Sequence, residues 1–157
     1  MLKKLFLPSL FLAAVSGAHA QTDCPKPMVS VLREGQAITT AGAAMAPTIK
    51  LQLTSDPACS DKASYRCKYA ELTLMRAGRP VFPAIRAYKS DVGLSAWVRA
   101  ARPGDKIYVF VPYQNLTVVA ADGSQQPYTL PEPAKPKYPD LRTDEAKGVS
   151  FSWQLLK

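Results

Sequence analysis

The stretch SDVGLSAWVRAARPGDKIYVFVPYQNLT, residues 90–117, decides how the chain is read. Ser90 and Asp91 each carry a side-chain oxygen able to accept from the free amides of a first helical turn. Leu94, Trp97, Val98 and Ala101 then recur at i, i+3, i+4 and i+7, the apolar stripe of a helix. Pro103-Gly104 stops it, because the residue before a proline is steered out of the α region and glycine accepts a positive φ. Ile107, Val109 and Val111 follow, with Tyr108 and Phe110 apolar on the opposite face, which predicts a strand at the centre of its sheet and covered on both sides. The spacing therefore predicts one short helix over residues 91–102, a hard stop and a buried strand.

Alternation with a period of two surrounds this unit and predicts an antiparallel β-sandwich-like fold. Ile49, Leu51 and Leu53 alternate with Lys50, Gln52 and Thr54; Ala70, Leu72 and Leu74 do so with Glu71, Thr73 and Met75. Ala77-Gly78 supplies a turn, and the proline-marked run 81–88 pairs back at an edge, where Pro83 removes no ladder bond. Leu116, Val118 and Ala120 form a further strand, Asp122-Gly123 a hairpin turn, and residues 126–130 its return. The chain closes on Val149, Phe151, Trp153 and Leu155, alternating with Ser150, Ser152 and Gln154, an apolar set that has to be packed.

The remaining segments set the domain plan. Residues 1–20 join Lys3 and Lys4 to an apolar run over 5–15 and an Ala18-His19-Ala20 end, the pattern of a cleavable secretory leader too short to span a bilayer. Residues 21–46 read as a flexible segment with a possible first strand over 28–33 and a turn at Glu34-Gly35, and residues 47–157 as the β domain, with a proline-rich loop over 131–148. A periplasmic or secreted location follows, with no transmembrane segment.

Loss of the leader removes His19, the only histidine among the 157 residues, and with it any Ser-His-Asp or Cys-His nucleophile system and any imidazole base. No residue pattern asks for a catalytic, cofactor or metal site. Asp140, Asp144 and Glu145 lack the spacing of a calcium loop, and Asn115-Leu116-Thr117 matches a glycosylation acceptor on three residues alone. Three cysteines cannot all pair within one chain: Cys59 and Cys67 enclose a short loop that a disulfide could close, leaving Cys24 for a bridge to a second molecule in a monomer or weak dimer.

Charge is the remaining signal. Removing Lys3 and Lys4 lowers the formal net charge from +8 to +6, and residues 66–106 hold nine basic side chains against three acidic ones. Arg76, Arg79, Arg86, Arg99 and Arg102 are the candidate contact residues for an acidic protein or envelope component, since guanidinium groups bind carboxylates with two hydrogen bonds. Nucleic acid is excluded as a partner by the leader, which takes the chain away from it. The expected role is a non-catalytic binding or structural module of a bacterial envelope. The alternatives are a carboxylate-based glycan hydrolase, which needs two acids across a cleft, and a small-ligand carrier, which needs an interior cavity.

Leu72-Thr73-Leu74-Met75-Arg76-Ala77-Gly78, the 94–101 stripe, Arg102-Pro103-Gly104-Asp105-Lys106-Ile107 and Asp122-Gly123, taken in order, resemble the C-terminal β domain of the gliding-motility M protein. That family forms the periplasmic shaft of the gliding and type IX secretion motor. The resemblance spans residues 47–156 and implies a free-standing exported version of the domain that binds protein. The chain departs from the family in having a leader where the family has a membrane helix, in lacking the shaft's preceding domains and in carrying cysteines.

Overall fold

The computed structural model describes residues 27–57, 63–120, 122–129 and 147–157. The expected leader, Cys24, Cys59, the acids at 140, 144 and 145, and all but the last two residues of the proline-rich loop lie outside them. Strands follow in chain order as β1 (Met28–Arg33), β2 (Gln36–Ala37), β3 (Ala43–Ala44), β4 (Thr48–Thr54), β5 (Ser64–Cys67), β6 (Ala70–Arg76), β7 (Arg79–Pro80), β8 (Ile85–Ala87) and β9 (Asp91–Gly93). Among the described residues one α-helix, α1 (Ser95–Val98), precedes β10 (Lys106–Pro112), a 3₁₀ turn at Tyr113–Asn115, β11 (Leu116–Val119), β12 (Gln125–Pro127) and β13 (Gly148–Leu156).

The fold is mainly β, as the alternation requires. One sheet runs in the order β2-β1-β4-β9; a second runs β3-β13-β10-β6, with β7 and β8 both on the free side of β6; a small third sheet is β12-β11-β5. All pairs are antiparallel except β3 with β13. The first two sheets share one core: Val29, Val31, Ile49 and Val92 from one side join Leu72, Leu74, Ile107, Val109, Val111, Trp153 and Leu155 from the other. Leu72, Leu74 and Val109 are wholly inaccessible to solvent, and each such side chain contributes about 1.5–3 kcal/mol by burial. β10 is central, between β13 and β6 as expected. Its second face is less covered than expected, with Tyr108 and Phe110 half-buried.

Four expectations need correction. Packed structure begins at β1, well before residue 47, because β1 pairs with β4 over five residues and its Val29 and Val31 enter the core. The small-residue run after it is also built in: Ala43 and Ala44 pair with Leu155 and Leu156, and Gly42 makes this possible, since a Cβ there would sit 2.6 Å from the Gln154 carbonyl oxygen. The helix is shorter than 91–102 at both ends. Asp91-Val92-Gly93 pairs with β4 and buries Val92, so ladder bonds and burial outweigh the cap; Leu94 takes the N-cap position with no side-chain bond. One turn then turns only Leu94 and Trp97 inward and leaves Val98 exposed. Finally, Ser64, expected within a loop, opens β5, which pairs with β11.

The turns behave as their residues dictate. Ala77 and Gly78 both hold positive φ between β6 and β7, as Glu34 and Gly35 do between β1 and β2, matching the twist of paired strands. Around Asp122-Gly123 the Gly123 amide donates to the Ala120 carbonyl, and the chain returns as β12, from Gln125 rather than Gln126.

Candidate partner-binding surface

The end of the sandwich that carries α1 is assembled around one carboxylate. Arg102-Pro103-Gly104-Asp105 forms a tight turn in which the Asp105 amide donates to the Arg102 carbonyl. The turn is stitched to β13 in both directions, the Gly104 amide donating to the Leu155 carbonyl and the Leu155 amide to that of Asp105. Asp105 is thereby buried, its side chain 3% exposed. A buried carboxylate needs partners, and Asp105 has three donors: Arg76 Nε at 2.8 Å to Oδ1, Arg76 Nη2 at 2.8 Å to Oδ2, and the Arg102 amide at 2.9 Å to Oδ2. The same Nη2 donates to the Ala100 carbonyl at 2.8 Å, closing the end of the helical segment. The Arg76 hydrogen bonds hold the Asp105 carboxyl below the usual aspartate range and raise the guanidinium.

Arg76 is thus a clip between β6, the helical segment and the turn, next to the segments that carry the neighbouring cations. Register places Arg79 opposite Arg76 across the β6–β7 hairpin, while Arg99 and Arg102 flank the carbonyl that Arg76 holds. Arg79, Arg99 and Arg102 are exposed, and none has an ion pair among the described residues. Four of the five arginines singled out by charge therefore lie at one end. Arg86 does not: it pairs in register with Glu71, five residues from Arg76 and so roughly 17 Å along β6. There Nε donates to Glu71 at 3.2 Å and the guanidinium lies over the Tyr69 ring, 5.0 Å from its centroid.

Spacing along the chain missed three residues that matter. Asp105 stands in the sequence only as part of the 102–107 turn, and its partner lies 29 positions away. Tyr69 and Tyr88, brought together by the β6–β8 register, carried no signal beyond being aromatic.

Other sequence motifs resolve as follows. Cys67 is half-buried with no disulfide partner among the described residues, burial pushes its thiol up, and Cys59 lies outside those residues. Asn115 is 6% exposed with its side-chain nitrogen buried and unpartnered, so the folded chain does not present it to a glycosyl donor. Among the described residues no group of acids, cysteines or histidines is arranged to hold a metal, and no helix is long and apolar enough to cross a membrane. An open depression of about 280 Å³ lies against the β1–β2 hairpin and Gly42-Ala43, outside the space between the sheets where a carrier would hold its ligand. No protein-family model, curated protein or solved structure matches the chain, so none links it to the gliding-motility M family.

Proposed function

We propose that the chain is an exported, non-catalytic binding or structural module of a bacterial envelope that engages an acidic protein through its α1 end. The observation that supports this most is the clip: Asp105 is taken up by Arg76, and the nearby Arg79, Arg99 and Arg102 stand exposed with no ion pair among the described residues. Exposed guanidinium groups of one sign gathered at one end attract a carboxylate-rich surface and steer its approach, which favours recognition. Glu71 and Asp105 are each committed to an arginine, and Asp105 is held low, the opposite of the raised pKa a general acid requires. Hydrolysis of a glycan is therefore the weaker reading.

The likeness to the gliding-motility M domain adds no partner to this account. Residues in the motifs behind it have structural tasks here: Arg76 in the clip, Gly78 and Gly123 in positive-φ turns, Leu94 and Trp97 in the core, and Pro103 to Asp105 in the stitched turn.

Cross-linking capture from envelope extracts tests the proposal. The wild-type chain should retain a defined acidic protein, and Arg99→Glu with Arg102→Glu should lose it while remaining folded. Equal capture by both forms contradicts the assignment of this surface.

A further inference from the structure

A second surface stands apart from the arginine end. Tyr69 precedes β6 and Tyr88 follows β8; the pairing of Ala70 with Ala87 sets them side by side, ring centroids 5.9 Å apart and planes at 57°. Arg86, on the same sheet face, lies over Tyr69, and its single ion pair among the described residues uses Nε alone, to Glu71. Tyr88 is 70% exposed, more than any other large hydrophobic side chain among the described residues. Lys68 and Lys89, chain neighbours of the two tyrosines, are exposed as well.

Three features follow from these contacts. An aromatic ring faces solvent although burial would favour it. The guanidinium beside it is oriented in advance by Glu71 and Tyr69, and among the described residues its terminal nitrogens are in no ion pair. The cluster's one carboxylate, Glu71, is already paired with Arg86. The surface therefore suits a ligand that brings an apolar ring face and negative charge together.

We propose that Tyr69, Arg86 and Tyr88 form a binding site for an acidic polysaccharide built from uronate sugars, with a carboxylate on Arg86 and the carbon–hydrogen face of a sugar ring on Tyr88. A pyranose uronate holds its ring face and its carboxylate on one rigid frame, so both contacts form with little loss of freedom. An aspartate or glutamate side chain carries its charge on a flexible stem and leaves Tyr88 bare. Addition of a peptide strand to β8 is disfavoured by the edge itself, three residues long with Pro80 and Pro83 before it. The site is independent of Arg79, Arg99 and Arg102, so it stands or falls apart from the protein-binding role proposed for them.

Isothermal titration of the full chain at low salt tests it, with polygalacturonate as probe, dextran as the neutral control and polyglutamate as the charge control. Polygalacturonate should bind, dextran should not, and polyglutamate should bind about ten-fold more weakly. Tyr88→Ala and Arg86→Gln should each weaken polygalacturonate binding about ten-fold, Tyr88→Phe should keep most of it, and all three should keep the wild-type melting temperature. Because Tyr88 is largely in solvent, its loss leaves the core intact. Absence of polygalacturonate binding, equal affinity for polyglutamate, or a Tyr88→Ala protein that binds as wild type each overturns the proposal.

Discussion

Replacing Asp105 by alanine removes the acceptor for Arg76 Nε, Arg76 Nη2 and the Arg102 amide at once. Hydrogen bonds to a charged group contribute about 1.5–3 kcal/mol each when buried. The Arg76 side chain is 36% exposed and regains water once its partner is gone, so about 1 kcal/mol per bond is the fitting scale here, or about 3 kcal/mol in all. For a chain of 157 residues that corresponds to a fall in melting temperature of about 9 °C. The effect depends on pH with a fixed sign. Arg76 keeps the folded-state pKa of Asp105 below its unfolded value, so the folded state binds fewer protons and the stabilisation is complete above the ordinary aspartate range. It is lost as pH falls through the depressed value. The gap between wild type and Asp105→Ala should therefore be full at about pH 6–7 and narrow steadily below about pH 4. Differential scanning calorimetry at neutral and acidic pH measures it. A drop of less than about 2 °C at neutral pH, or a gap that stays constant into acid, refutes the clip as an energetic element.

Two further outcomes follow from the geometry. Gly148→Ala places a Cβ 2.5 Å from the Val111 carbonyl oxygen and 2.6 Å from the Phe110 ring, so it should destabilise by about 2 kcal/mol in urea unfolding; an unchanged midpoint would show that β13 can shift away from β10. Non-reducing peptide mapping of protein oxidised in the envelope compartment should recover Cys59 linked to Cys67, with a stabilisation of about 2–3 kcal/mol over the reduced chain; recovery of Cys24 linked to Cys67 would reverse that pairing.

How much of this was legible in the sequence depended on the length of the signal. β4, β6, β10 and β13 alternate over seven to nine residues, and the alternation alone identifies their inward faces. Two-residue strands have no period to read. Ala43-Ala44 is a strand because Gly42 lets the backbone close on Gln154 and Leu156, a condition set by a segment more than 100 positions away. The helix was overextended because a polar pair before an apolar stripe also describes Asp91-Val92-Gly93 as an edge strand, and only β4 decides between them.

The surface was legible in composition and not in arrangement. Counting arginines found Arg76, Arg79, Arg99 and Arg102, yet nothing in their spacing separates Arg76, which holds the frame, from the three it leaves exposed. Arg86 was grouped with them by charge alone, whereas the antiparallel register assigns it to Glu71 and Tyr69.

The central claim, recognition of an acidic protein by the cations around the Arg76–Asp105 clip, is tested most directly by the salt dependence of binding. Affinity for the captured protein is measured from low to high ionic strength, for wild type and for Arg99→Glu with Arg102→Glu. Screening of exposed charges predicts that wild-type affinity falls steeply with salt and that the double variant binds weakly with a flatter dependence. Parallel curves of equal affinity for the two forms would contradict it.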